Sequence, residues 1–115
     1  MIYFTDKEFE CKCGCGLYIP NLELLDVLSK AREYFKVPIT ITSGTRCTAN
    51  NKKVGGVDTS KHTTGEAADI QVKGIEPIKV YKYFTDTYFN KYGVGNYSTF
   101  THIDVREEKA RWGGK

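Results

Sequence analysis

An acidic residue stands in the middle of an apolar segment of this sequence, and few folds can accommodate it. Asp69 lies within the run Ala67–Val72, in which the other residues except Gln71 are small or aliphatic. Such a run predicts a buried strand, and a carboxylate inside it costs free energy unless it is paired or bound to a metal. We therefore expect Asp69 to be a metal ligand, the alternative being that it only caps a turn.

Both histidines of the chain can join this carboxylate. His62 precedes Asp69 and is separated from it by small residues that include Gly65, so the two side chains can converge. His102 lies farther along the chain. Two imidazoles and one carboxylate suit a catalytic zinc, which usually has three protein ligands and a fourth position for water. We expect His62, Asp69 and His102 to bind Zn²⁺; in the alternative, His62 is a solvated loop residue.

The segment around His102 alternates in polarity, as a strand with one buried face does. If Ile103 and Val105 face the core, His102 and Asp104 share the open face. Asp104 is then a general base for a zinc-bound water, which is our first choice, or a partner that orients His102. The alternative without chemistry is an ion pair of Asp104 with Arg106 or a lysine.

The motif Ser60-x-His62-x-x-Gly65-x-Ala67-x-Asp69, followed by His102, resembles the zinc D-Ala-D-Ala carboxypeptidase/endopeptidase family, peptidase family M15, subfamily A. That family includes bacterial carboxypeptidases and many phage endolysins. The similarity spans nearly the whole chain and extends to Ile39–Arg46, Asn50–Gly56, His102–Arg106 and Ala110–Trp112. It implies a hedgehog/DD-peptidase fold and zinc at the three ligands already named. It also implies a substrate-side role for Arg46, at the arginine of the family's Ser-Gly-x-Arg motif.

One position departs from the family pattern. Thr99 stands where related members often carry a carboxylate that serves as the catalytic base. Asp104 is therefore our first candidate for the base and Glu66 a distant second. The departure also supports a rival function, a catalytically silent zinc-containing module that binds cell wall or a protein partner.

Arg46 and Ser60 are the residues predicted to meet substrate. The planar guanidinium of Arg46 suits bidentate contact with a peptide carboxylate, or contact with the oxyanion that forms on the scissile carbonyl. In the alternative, Arg46 pairs with an acid near its loop and Ser60 only fixes its own loop. Tyr97 and Trp112 are candidates for the wall of a peptide groove, whereas Tyr92 is more consistent with core packing.

Four cysteines form a second group, with Cys11, Cys13 and Cys15 close together and Cys47 far downstream. An even number of cysteines allows two disulfides, and four thiolates would suit a second, structural metal. Plain buried thiols are the third alternative. The usual Cys-x-x-Cys spacing of metal knuckles is absent, and the sequence leaves the three alternatives open.

Length and composition predict one globular domain, residues 1–115, which we expect to be a monomer. The net charge of +3 is too small to indicate a nucleic-acid partner, and it argues against a zinc-ribbon-like nucleic-acid module. There is no apolar run of about 18 residues, so we expect no membrane span. The N-terminus lacks the basic and apolar regions of a signal peptide. We therefore expect synthesis in the cytoplasm and action at the bacterial cell wall after release by other means.

The order of the predicted elements gives an α+β domain, an antiparallel sheet with helices packed on one side and zinc on one face. We expect an N-terminal capping box, a helix from Asn21 to about Val37, a surface loop Thr48–Thr59, a helix from Pro77 to about Phe89, and two strands after it. The predicted function is a zinc metallopeptidase of bacterial peptidoglycan. It is either a D-Ala-D-Ala carboxypeptidase or an endopeptidase of stem peptides or cross-links.

Overall fold

The computed structural model describes residues 3–56 and 60–113 of the chain. The last three residues of the predicted surface loop, Asp58 among them, lie outside the described residues, as do the first two residues of the N-terminal segment. In chain order the helices are α1 (Asp6–Phe9), α2 (Leu22–Phe35), α3 (Thr48–Lys53), a 3₁₀ helix (Lys61–Thr64) and α4 (Pro77–Thr87). The strands are β1 (Ile39–Ser43), β2 (Ala67–Val72), β3 (Gly93–Asn96), β4 (Thr101–Asp104) and β5 (Ala110–Gly113).

Both long helices form where the sequence predicts them. The side chain of Asn21 caps α2 by accepting the N–H of Leu24 at 2.9 Å. The helix ends at Phe35, slightly before the predicted end, because Lys36 adopts a left-handed conformation (φ 61°) ahead of Pro38. Pro77 begins α4, in the first turn where a proline costs no hydrogen bond.

The strands form one five-stranded sheet in the order β1-β2-β4-β3-β5. Every neighbouring pair is antiparallel except β3 and β5, which run parallel. The sheet is therefore mixed, which corrects the expectation of a purely antiparallel one. The difference comes from β5, a short strand without alternating polarity that the sequence pattern did not reveal. The α+β class itself is confirmed.

One face of the sheet packs against α2 and α4 and forms the hydrophobic core. The buried residues of the helices in this core are Leu24, Val27, Leu28, Ala31, Val80 and Phe84. Their partners on the sheet include Ile39, Ile41, Ala68, Ile70, Val94 and Ile103. Since neighbouring residues of a strand point to opposite faces, Asp69 and His102 project from the other face. The helices thus cover one side, as predicted, and leave the polar side for a site.

The segment predicted as a surface loop contains helical structure. Residues Thr48–Lys53 form α3, and the side chain of Cys47 caps it by accepting the N–H of Asn50. The composition of this segment, rich in asparagine and lysine, predicted a loop because it lacks an apolar stripe. Tertiary contacts of its N-terminal end stabilise the helix instead. Among the described helices, none is long and apolar enough to cross a membrane.

Candidate metal centre and its pocket

The three predicted metal ligands meet on the polar face of the sheet. Asp69 on β2 is paired with His102 on β4, and His62 approaches from the 3₁₀ helix that precedes β2. Oδ1 of Asp69 lies 3.2 Å from Nε2 of His62 and 3.0 Å from Nδ1 of His102. All three side chains are buried, and their ligand atoms lie within 4.8 Å of one another.

The other ring nitrogen of each histidine has a fixed acceptor. Nδ1 of His62 lies 2.8 Å from the carbonyl oxygen of Gly44, and Nε2 of His102 lies 2.7 Å from Oδ2 of Asp104. Neither oxygen can donate, so each can hold a ring proton on the nitrogen that faces it and leave the nitrogen facing Asp69 free to bind a metal. Histidines that bind metals are held in this way by a carbonyl or carboxylate behind the ring.

These contacts determine what the centre of the cluster can hold. A neutral imidazole has one N–H. A proton on the nitrogen that faces Asp69 makes a hydrogen bond to its carboxylate. With the ring protons directed to Gly44 and Asp104 instead, two nitrogen lone pairs and a carboxylate oxygen converge, and this arrangement needs a cation between them. The residues present fit a divalent metal bound by His62, Asp69 and His102.

The pKa values of the cluster are consistent with a site that holds positive charge. Burial alone would raise the pKa of Asp69, but hydrogen bonds with His102 and His62 outweigh it and hold that pKa well below its ordinary range. Burial alone would lower the pKa of His102, but its contacts with Asp104 and Asp69 raise it. Without metal, the cluster attracts protons; a metal would compete with them for the same lone pairs.

Asp104 is completely buried beneath His102 and is saturated with hydrogen bonds. Besides His102, its carboxylate accepts Nε and Nη2 of Arg106 at 2.8 and 2.7 Å, and the backbone N–H groups of Gly93 and Arg106. Burial would raise its pKa, but His102 and Arg106 lower it far below the ordinary range. The expectation that Asp104 lies open on the sheet face is wrong. Its use as the general base stays a prediction, one that these contacts do not favour.

Two glycines of β3 make room for this arrangement. A Cβ at Gly93 would lie 2.5 to 2.6 Å from the carboxylate oxygens of Asp104 and 2.7 Å from Nε of Arg106. A Cβ at Gly95 would collide with the indole of Trp112. Because Gly95 is paired with His102 on β4, the missing side chain lets the indole lie 5.0 Å from the imidazole, ring centre to ring centre.

Arg46 lies at the edge of the metal cluster. Its Nη2 is 3.7 Å from Oδ2 of Asp69, and its Nη1 donates to the side chain of Asn51 at 2.9 Å. The backbone N–H of Arg46 donates to the carbonyl of His62 at 2.9 Å, which ties this loop to the 3₁₀ helix. Nε of Arg46 is buried and has no partner among the described residues. The side chain thus both pairs with an acid and retains a donor.

A pocket of about 660 Å³ opens over the cluster, a size typical of small-molecule and peptide sites. Its described lining is Arg46, Gly55, Gly56, Ser60, Lys61, His62, Asp69, Tyr97, Phe100, His102, Arg106 and Trp112. Tyr97 and Trp112 belong to the wall, as predicted, and the indole N–H donates to the Tyr97 hydroxyl at 2.9 Å. Tyr92 lies instead in the core and donates to Glu23.

The remaining predicted residues have mixed positions. Ser60 lines the pocket, and its hydroxyl also accepts the N–H of His62 at 3.2 Å, so it fixes its own turn. Glu66 accepts the hydroxyl of Thr64 at 2.7 Å and is absent from the pocket lining. Thr99 is exposed and also lies outside that lining. Within the lining formed by the described residues, Asp69 is the one acid.

Sequence reasoning missed three contributors to this site. The carbonyl of Gly44 orients His62, but every residue has a carbonyl and no side-chain pattern identifies this one. Lys61 and Phe100 also line the pocket. Lys61 is adjacent to His62, and alternation placed Phe100 on the same strand face as His102, so each had a weak signal. The four cysteines also come together, in a cluster that does not line the pocket.

Comparison with known proteins agrees with this geometry. The family model described as Peptidase M15 matches residues 2–104 of the chain. The matched range contains the two histidines, Asp69 and Arg46, and it ends at Asp104. A comparison with curated proteins found no match.

Proposed function

The chain belongs to the peptidase M15 family, and from this premise we propose that it is a zinc metallopeptidase that hydrolyses peptide bonds of bacterial peptidoglycan. The observation that carries the proposal is the convergence of one ring nitrogen from each of His62 and His102 on the carboxylate of Asp69. The enzyme would act as a monomer at the cell wall after release, in wall lysis or remodelling.

The ligand set favours zinc among the common metals. Catalytic zinc takes nitrogen and oxygen ligands from three side chains, here His62, Asp69 and His102. When bound, zinc would lower the pKa of a water molecule toward about 7 and polarise the scissile carbonyl. Gly44 and Asp104 keep the ring protons of the two histidines away from the metal side.

We propose that Asp104 acts through His102 as a positioning residue. Its carboxylate keeps the proton of His102 on Nε2, so that Nδ1 presents a lone pair. Arg106 keeps Asp104 ionised through two hydrogen bonds from its guanidinium. A carboxylate with five donors, no exposed surface and a lowered pKa is a poor acceptor for a substrate's proton. This assigns Asp104 the second of the two roles expected from the sequence.

The charge of the pocket supports a substrate with a free carboxylate. Arg46 and Lys61 contribute positive charge, whereas Asp69 is the one acid in the described lining. Arg46 lines the pocket, and its planar guanidinium is suited to a carboxylate. Aromatic rings of Tyr97, Phe100 and Trp112 supply the apolar wall. Between the two peptidoglycan activities, these features favour cleavage next to a terminal carboxylate, as in a D-Ala-D-Ala carboxypeptidase.

A second candidate function is a zinc-containing module that binds cell wall without cutting it. One observation favours it: beyond Asp69, the described residues of the lining include no carboxylate to accept a proton. Glu66, the other candidate base, is engaged with Thr64 away from this lining.

One experiment separates these candidates. Purified protein and its His62→Ala variant are assayed for zinc content, and for products released from peptidoglycan and from a stem peptide ending in D-Ala-D-Ala, by mass spectrometry. Activity that a chelator removes, zinc restores, and the variant lacks supports the peptidase. Zinc at the histidine site together with wall binding and no product favours the silent module. Absence of zinc from the histidine site contradicts both.

A further inference from the structure

Four cysteines that are distant in sequence meet at one point of the fold. Cys11, Cys13 and Cys15 lie on the loop after α1, and Cys47 immediately precedes α3. Sγ of Cys11 is 3.4 Å from that of Cys13 and 3.7 Å from that of Cys47, and the last two are 3.7 Å apart. Sγ of Cys15 lies within 4.8 Å of the others, and all four are free thiols.

These separations match the edges of a zinc–thiolate tetrahedron. Zinc binds thiolate sulfur at about 2.3 Å, which places sulfurs about 3.8 Å apart in tetrahedral geometry. The three separations of 3.4 to 3.7 Å are close to that edge. A disulfide would need sulfurs about 2.05 Å apart. Four unconnected thiols also have no reason to pack against one another when two of them, Cys13 and Cys15, are exposed.

We propose that Cys11, Cys13, Cys15 and Cys47 bind a structural Zn²⁺ ion, separate from the histidine site. Four thiolates form a closed coordination shell with no position for substrate, the arrangement of structural zinc. This site goes beyond the proposed peptidase function, and either one can fail while the other stands.

The local backbone is arranged to support thiolates. The N–H of Cys47 donates to Sγ of Cys11, and the N–H of Asn50 donates to Sγ of Cys47. Gly14 and Gly16 adopt positive φ angles of 93° and 80°, which turn the loop tightly enough for its sulfurs to converge without Cys-x-x-Cys spacing.

The cysteine site would fix the position of the segment Gly44–Cys47, which contributes to the histidine cluster. Cys47 directly follows Arg46, and Gly44 supplies the carbonyl that orients His62. The backbone of this segment already binds the start of the chain, because Thr45 donates its N–H to the carbonyl of Phe9 at 2.9 Å. Zinc on the cysteines would add a second attachment between the same two segments, next to the first.

The test is metal analysis of the whole protein, purified under reducing conditions. Zinc and iron are counted per chain in wild type, in a Cys13→Ser/Cys15→Ser variant and in His62→Ala. X-ray absorption of His62→Ala reports the atoms around the remaining zinc. We expect two zinc ions in wild type and one in each variant, with sulfur neighbours at about 2.3 Å in His62→Ala.

Three results would overturn the inference. They are a zinc count that the cysteine variant does not lower, iron in place of zinc, and fewer than four titratable thiols in denatured protein purified without reductant, which would reveal disulfides. Should the cysteine variant fail to fold, cobalt replaces zinc in wild type and His62→Ala. Thiolate-to-cobalt charge-transfer absorption in both proteins supports the site, and its absence from both refutes it.

Discussion

Nε2 of His102 and Oδ2 of Asp104 lie 2.7 Å apart, and the carboxylate has no exposed surface. The two residues are separated by one position on β4, so they project from the same face of the strand. The pair therefore lies within a single short strand and needs no loop to assemble it. Its partner Arg106 lies two residues after the end of the strand and completes the carboxylate's hydrogen bonds.

Replacing Asp104 by asparagine tests which role the carboxylate has. If it orients His102, the Asp104→Asn variant binds zinc at the histidine site about 10–100-fold more weakly, because a neutral amide no longer fixes the ring proton on Nε2. Zinc affinity is measured by competition with a chromophoric chelator, and kcat at saturating zinc is measured alongside it.

A general-base role predicts the opposite pattern, with unchanged zinc affinity and a collapsed kcat. Asp86→Asn is the matched control, since Asp86 forms an exposed ion pair with Lys82 on α4. That variant should keep both zinc affinity and kcat. Weakened zinc binding in Asp86→Asn would mean that the assay reports general destabilisation.

Gly95→Ala should displace the indole of Trp112 from its place beside His102. The added methyl group overlaps the ring, so we expect a raised KM with zinc binding retained. The measurement is a double-mutant cycle of KM with Trp112→Ala. Once the indole is removed, Gly95→Ala should not raise KM any further. Gly113→Ala is the control, because its nearest Cβ contact of this kind is an ordinary 3.9 Å.

Arg46→Lys tests recognition of a terminal carboxylate. Lysine keeps the charge but loses the planar fork, so KM for a peptide with a free C-terminal carboxylate should rise about 10-fold or more. The same peptide with an amidated C-terminus should be cut poorly by both proteins and show little difference between them. An equal rise of KM for the two peptides would argue that Arg46 has a structural role. Arg32→Lys on α2 serves as the control.

The stability of the metal-free protein should depend on Asp104 only above acidic pH. Its folded pKa lies below the unfolded value of about 3.9, so its stabilisation is complete above that value and is lost as the pH falls through the folded pKa. The difference in free energy of unfolding between wild type and Asp104→Asn should thus shrink below about pH 4. Urea titrations across pH in chelator measure it, and a constant difference contradicts the ion pairs described.

His102 should show the reverse dependence. Its folded pKa is raised above the unfolded value of about 6.5, so its stabilisation is complete below that value and is lost as the pH rises through the folded pKa. In metal-free protein, the difference in free energy of unfolding between wild type and His102→Gln should become smaller above about pH 6.5. Adding zinc should restore the difference at high pH, because zinc binds the neutral ring.

The convergence of His62, Asp69 and His102 was predictable from the sequence because their chemistry is local. An acid such as Asp69 in an apolar strand needs compensation, and the chain offers only two histidines. Alternation around His102 also predicted correctly that Ile103 faces the core. Helix α2 carries a cap and an apolar stripe, and both are properties of neighbouring residues.

The features that the sequence did not predict depend on contacts between distant parts of the chain. Strand β5 is defined by its parallel pairing with β3, and the burial of Asp104 requires the space left at Gly93. The carbonyl of Gly44 reaches His62 only because the loop after β1 folds over the 3₁₀ helix. No periodicity within a single segment encodes such placements, which is why the pocket wall and the burial of Asp104 were harder to predict than the convergence of His62, Asp69 and His102.

The pairing of Asp69 with His102 has a consequence for how the sheet reaches its alignment. Strands β2 and β4 are both short, and sliding one past the other by a single residue would turn its polar side chains toward the core. A metal ion bound to both residues, as proposed, would stabilise the native alignment and no neighbouring one. Refolding with metal present would then favour correctly paired strands over misaligned sheets.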